Sequence, residues 1–316
     1  MLIGLSPAML ALLLVAGIAL DLLLGETRRW HPLVGFGRLA SGIERALNRG
    51  HARLPRGLLA WALAVLPASL LFLALTGLAG PWLHALLLYL CIGLRSLREH
   101  TLPIHAALRG GDLAQARILT SFIVSRDTAD ANEADLAKAS AESLLENGND
   151  AVFGTLFWFI LLGGPGAVLF RLANTLDAMW GYRSERFNLF GRCAARIDDA
   201  LNYVPARLTA LSYVLLAASG TARARAWHCW RTQAPAWSSP NAGPVMASGA
   251  GALGVSLGGA AVYDGEIEQR PPLGAGPAAG AQDILRAWRL VLHTTLLWAG
   301  AVCAIALLLT LGARHG

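Results

Sequence analysis

Apolar runs long enough to cross a lipid bilayer constrain this chain more than any other feature. Residues 2–24, 57–79 and 288–311 are almost free of charge. Each approaches the ~20 apolar residues that a helix needs to span the hydrocarbon core. In a chain of 316 residues that is 55% apolar and only 15% charged, they exclude an ordinary soluble domain. The first run contains Asp21 and opens M-L-I-G-L-S-P, without the basic region of a secretory signal, so a retained helix is expected. Residues 82–94 read as a third span after the Gly80-Pro81 turn, closed by Arg95 and Arg98.

Residues 25–56 carry seven arginines against Glu26 and Glu44, which predicts a cytoplasmic loop and an outside N-terminus. The net charge is +6 and Lys138 is the only lysine. Arginine suits phosphate and carboxylate partners, although most loop arginines need do no more than hold topology. Cys91, Cys193, Cys229 and Cys303 show no C-x-x-C spacing, which argues against a zinc site or a disulfide framework.

Residues 99–150 read as a soluble-type helical insertion. Asp112 caps one helix running to Val124, and a second runs from Thr128–Asp130 to about Asn147. Glu142 and Glu146, at i and i+4, share a face that Asp150 would extend if the helix continued. Residues 151–173 are apolar but hold Gly163-Gly164-Pro165-Gly166 at their centre. That break predicts a re-entrant hairpin of two half-helices, which keeps the arginine-rich residues 174–204 on the cytosolic side. Residues 205–219 are short for a span, and residues 220–286 read as loop-rich. The expected fold is one all-α integral membrane domain over residues 1–316. It would have four to five spanning helices, and the cytosolic segments 174–204 and 220–286 would carry the site.

Most groups able to do chemistry lie between Ser125 and Arg207. Glu142, Glu146, Asn147 and Asp150 form a candidate carboxylate face, for which the bland alternative is a wet helix surface. Closely set carboxylates suit Mg²⁺, and Asp198-Asp199 with Asn202 is a second candidate. Tyr182, Arg183 and Arg186 fit either phosphate binding or internal ion pairing. Gly249-x-Gly251-x-x-Gly254 matches a dinucleotide fingerprint, but no strand precedes it, so close helix packing is the better reading. His31 before Pro32 reads as structural, and Trp30, Trp82, Trp180 and Trp298 as interfacial anchors.

Taken in order, these segments resemble the adenosylcobinamide-phosphate synthase family (CbiB type) of cobalamin biosynthesis. The resemblance rests on D-L-L-L-G and H-P-L-V-G-F-G-R within residues 21–38, R-D-T at 126–128 and E-S-L-L-E-N-x-x-D at 142–150. N-T-L-D-A-M-x-G-Y-R-x-E-R at 174–186, A-R-I-D-D-A-L-N-Y-V-P-A-R-L at 195–208, S-S-P-N at 238–241 and A-G-A-L-G-V-x-L-G-G at 250–259 continue it. The chain departs from the family at Glu26-Thr27, Ser125, Pro244 and Met246, the last replacing an acid.

The resemblance implies an ATP- and Mg²⁺-dependent ligase at the cell (inner) membrane with a cytosolic site. It would join aminopropanol or its phosphate to a propionate of adenosylcobyric acid. On that footing Glu142, Glu146, Asn147 and Asp150 are expected to be catalytic, and Asp150, Asp198 and Asp199 to hold the metal. Arg126, Asp127, Asn174, Asp177, Tyr182, Arg183, Arg186, Asn202, Arg207, Ser239 and Asn241 are expected to bind substrate or nucleotide, all in one pocket. Besides the corrinoid, the amine and the bilayer, a homo-oligomer or a complex with other cobalamin-assembly proteins stays open. No nucleic-acid partner is expected. The rival readings are an inactive corrinoid-binding or regulatory paralogue and a corrinoid transporter.

Overall fold

The computed structural model describes residues 4–26 and 31–315. The helices are α1 (Pro7–Leu24), α2 (Pro32–Leu47), α3 (Arg53–Ala79), α4 (Trp82–Cys91), α5 (Leu94–Arg109), α6 (Leu113–Ser121) and α7 (Glu133–Asn147). A π turn (Gly148–Phe153) then leads into α8 (Gly154–Trp180), followed by α9 (Arg192–Leu215), α10 (Gly220–Gln233) and α11 (Ala242–Leu253). Strands β1 (Ser256–Tyr263) and β2 (Glu266–Gly274) precede α12 (Ala281–His315). The protein is thus mostly helical, and four stretches are long and apolar enough to cross a membrane: Pro7–Leu24, Arg53–Ala79, Glu133–Trp180 and Ala281–Ala313.

The chain divides into two compact units. The first comprises Met1–Gly93, Asp150–Asn202 and Ala299–Gly316, and the second Leu94–Asn149 and Tyr203–Trp298.

In the first unit α1 begins with Pro7 at its first position and with the Ser6 hydroxyl accepting from the Met9 amide at 3.2 Å. It packs on α4 at Gly17, where a Cβ would lie 2.7 Å from Leu88 Cδ2. α4 has only 10 residues. At 1.5 Å per residue that is about 15 Å, half the hydrocarbon thickness, so the expected third span over 82–94 is corrected to a short packed helix.

α8 doubles back. Gly163 breaks it with φ 63° and ψ −154°, a conformation open to glycine. A Cβ on Gly154 would fall on the ring of Phe170, sixteen residues on, and one on Gly166 would meet the Trp158 carbonyl. In a straight helix residues 154 and 170 would stand about 24 Å apart. The reversal leaves the Gly164 amide without an intrahelical acceptor, and His84 Nδ1 accepts from it at 3.0 Å. The two half-helices expected around the glycines are therefore present.

α9 runs unbroken through Pro205, across the bound drawn between the 174–204 and 205–219 segments. Proline cannot donate to the carbonyl four residues back, and the Trp158 indole donates to that carbonyl, Leu201 O, at 3.1 Å. Residues 174–204 are correspondingly helix at both ends, with only residues 181–191 outside regular helix.

The second unit packs α10 against α11 and pairs β1 with β2. Gly251 lets α10 approach, since a Cβ there would lie 2.6 Å from Ala226 Cα, and Gly249 makes room for Leu145. Gly254 closes α11 in the left-handed conformation. The glycine pattern thus serves helix packing, as read. The hairpin was not expected in residues 220–286. It turns on Asp264 and Gly265, both at positive φ, with Val262 facing Ile267 and Tyr263 facing Glu266.

If the α8 reversal depends on the bare Gly154 surface, Gly154→Val lowers the thermal unfolding midpoint of the detergent-purified chain. The expected cost is about 1–3 kcal/mol, as for other overpacked cores. Adding Phe170→Ala to the same chain should recover part of it.

Candidate functional site

Among the described residues each unit carries a buried cluster of ionisable groups. In the first unit the returning half of α8 presents Arg171, Asn174 and Asp177 at helical spacing, so they share a face. Asn174 Oδ1 accepts from Arg171 Nη1 at 3.2 Å, and Asn174 Nδ2 donates to Asp198 Oδ1 at 3.4 Å. One turn along α9, Asn202 Nδ2 donates to the other Asp198 oxygen at 3.2 Å. Asp198 is buried. Burial pushes its carboxyl well above the ordinary aspartate range, the charges of Asp150 and Asp177 push the same way, and the two amide hydrogen bonds oppose them. Burial alone raises the half-buried Asp199 next to it. Arg171 Nε is buried without a hydrogen-bond partner.

The second cluster centres on Glu142, buried on α7. Its carboxylate accepts from Arg126 Nη2, from Arg270 Nη1 at 3.1 Å and Nη2 at 3.3 Å, and from the Gly258 amide at 2.7 Å. Gly258 sits at φ 70°, where a Cβ would strike the Pro271 carbonyl, so glycine is what lets the strand aim its amide at the acid. Two guanidiniums on one carboxylate leave a net positive charge, and Arg126 Nη1 is buried with no partner. Such a centre favours a further anion. Removing one partner of a buried pair of this kind costs about 3–5 kcal/mol.

The remaining expected residues are distributed as follows. Glu146 and Asn147 are half-buried, and the Asn147 amide donates to Ser143 Oγ at 3.0 Å. Asp127 Oδ2 accepts from the Gly265 amide at 2.7 Å and so latches the hairpin tip. Ser239 Oγ accepts from the Ala242 amide at 3.1 Å at the start of α11, and Asn241 Oδ1 accepts from Arg207 Nη1 at 2.8 Å. Tyr182 and Arg183 are exposed. Arg186 grips Glu44 of α2 bidentately through Nε and Nη2, at 3.0 and 2.6 Å, which is the internal pairing offered as its alternative role. That hydrogen bond holds the Glu44 carboxyl below its ordinary range.

His31 caps α2, its Nδ1 accepting from the Leu33 amide at 3.3 Å, in keeping with a structural role. Trp180 is corrected from interfacial anchor to core: it is buried, with its ring 5.2 Å from that of Phe190. Trp30 and Thr27 lie outside the described residues. Met246 and Pro244 are buried in α11, where the absent acid would have needed a partner. Sequence reasoning missed Arg270, Arg171 and Glu44. A lone arginine in an apolar run was itself a signal for Arg171.

Among the described residues no three His, Cys, Asp or Glu side chains are grouped to cage a metal ion. The oxygen-only donors around Asp198 fit the looser habit of Mg²⁺, which takes one or two carboxylates and completes its shell with water and phosphate.

A largely helical chain with several helices long and apolar enough to span a bilayer is a polytopic membrane protein. The family model described as "CobD/Cbib protein" matches residues 14–291, so the chain belongs to that family. It is 53% identical over 324 residues to "Cobalamin biosynthesis protein CobD" of Chromobacterium violaceum, covering 96% of this chain and 99% of the relative. To the protein of that name from Stutzerimonas stutzeri it is 57% identical over 290 residues, covering 90% and 92%. To that of Mycobacterium tuberculosis it is 38% identical over 297 residues, covering 92% and 93%. No solved structure matches. Family membership gives the chain a role in cobalamin biosynthesis.

The raised Asp198 carboxyl fixes the sign of a pH effect. Its stability contribution is intact below the unfolded aspartate pKa of about 3.9 and is lost as pH rises through the higher folded value. Asp198→Asn should therefore raise the thermal midpoint at neutral and alkaline pH. The gain should vanish towards pH 4, read as midpoint against pH for both proteins.

Proposed function

We propose that this protein is the ATP-dependent amide-forming ligase that joins aminopropanol, or its phosphate, to a propionate of adenosylcobyric acid. The observation that carries the reading is the Asp198 cluster: burial and the nearby Asp150 and Asp177 carboxylates raise the Asp198 carboxyl, a repulsion that a divalent cation would relieve. A carboxylate does not accept an amine directly at neutral pH, because its leaving group is poor. Bound ATP with Mg²⁺ would supply a phosphoryl group that makes the propionate an acyl phosphate, from which the amine displaces phosphate.

The chain's own residues have definable tasks in this scheme. Asp150 and Asp198 would hold the cation, with Asn174 and Asn202 fixing the Asp198 oxygens. Asp177 or Asp199 would accept the proton that the amine loses on forming the amide. Within the second unit, taken by itself, Arg126 is held at one edge by Glu142 and leaves Nη1 buried without a hydrogen-bond partner, which suits an anion. The Glu142 centre then acts by holding Arg126 and Arg270 in place.

The test is ADP release by the purified full chain in detergent, with adenosylcobyric acid and aminopropanol or its phosphate both present. Release should need both substrates, and Asp150→Asn and Asp198→Asn should lower it on the order of 10²–10³-fold. Unchanged release in both variants would remove the assignment. Corrinoid binding with no ADP would favour a regulatory paralogue, and vesicle uptake without hydrolysis a transporter.

A further inference from the structure

The second unit holds a cavity of about 760 Å³ that neither ionic cluster uses. Tyr203, Arg207, Trp230, Arg231 and Trp237 line it, and none of its described lining residues is acidic. Arg207 is held rigidly by neutral acceptors alone. Its Nη1 donates to Tyr203 O at 3.0 Å and to Asn241 Oδ1 at 2.8 Å, and its Nη2 to Pro240 O at 3.0 Å. The same guanidinium lies 3.5 Å from the centre of the Tyr203 ring, and the Arg231 guanidinium lies 5.9 Å from the centre of the Trp227 ring. A positioned guanidinium lining the same cavity as a second arginine, with no carboxylate paired to either among the described residues, is a site prepared for an anion.

A second observation says what the anion is attached to. From the cavity wall, Val204, Leu208, Leu211 and Leu215 run along one face of α9, and all four are exposed. Eleven residue steps at 1.5 Å make this stripe about 16 Å long. One leaflet of a bilayer has about 15 Å of hydrocarbon. Tryptophan, tyrosine and arginine at one end of an aliphatic stripe of that length reproduce the layering of a lipid, headgroup to tail.

We propose that this surface binds one anionic glycerophospholipid, with its phosphate on Arg207 and Arg231 and an acyl chain along Val204–Leu215. Arg207 then serves the membrane rather than the ligase substrates. A soluble phosphate compound would use the arginines and leave the stripe bare, so the two sources separate experimentally.

The test uses the full chain in a non-ionic detergent and native mass spectrometry of retained lipid. Phosphatidylglycerol should be retained at least about tenfold better than phosphatidylcholine of the same chains. Arg207→Gln should abolish that preference, and the exposed Arg231→Gln should weaken it, which keeps the test informative should the first variant not fold. Leu208→Gln with Leu211→Gln should reduce retention of both lipids. Equal retention of the two lipids by the parent chain would overturn the proposal. So would displacement of phosphatidylglycerol by millimolar ATP or inorganic phosphate, which would make the cavity a site for a soluble phosphate.

Discussion

The reversal of α8 at Gly163 is the constraint on which the first unit depends. An apolar segment that crossed the bilayer straight would carry Asn174 and Asp177 to the side opposite Gly154. Because it turns, Arg171, Asn174 and Asp177 come back along the strand of helix that has just been laid down, and Trp158 sits beside the Leu201 carbonyl of α9. The turn is stabilised at its tip, where His84 Nδ1 accepts from the Gly164 amide. A helix break inside an apolar segment is tolerated when protein groups satisfy the backbone it frees, and a single imidazole suffices here.

The second unit solves a different problem with the same economy of means. Glu142 could not be buried alone, and four donors from three chain segments converge on it: the residue 126 loop, β1 and β2. Those segments are far apart in sequence, so the acid ties the hairpin to α7 as well as holding two arginines. An acid placed there to organise guanidiniums has no freedom left to act as a base, which is why the carboxylates around Asp198 are the better candidates for chemistry.

Much of this was legible beforehand, and the failures have definite causes. The long apolar runs, the helix break at the four-residue glycine-proline motif and the packing role of the 249–254 glycines all follow from local properties of consecutive residues. The hairpin went unread although Asp264-Gly265 between Val262 and Ile267 is a strong turn signal, because glycine-rich flanks obscured the alternation. α4 was overextended because hydropathy counts apolar residues and cannot see Ile92 leave the helix. Arg270 and Glu44 were out of reach for another reason: each acquires its role from a partner more than a hundred residues away.

The π turn at Gly148–Phe153 has a geometric consequence. A π turn takes in one residue more than the α-helical repeat allows, and so shifts the face on which its own residues fall. Had α7 continued regularly, Asp150 would have stacked above Glu142 and Glu146 on a single stripe. The surplus residue takes Asp150 off that stripe, and it joins the compact unit of Asp177 and Asp198 while Glu142 stays with the other. A deletion of one residue in this short segment would favour an ideal helix and return Asp150 to the stripe of Glu142 and Glu146. The segment's length, more than its chemistry, is what the fold has to keep.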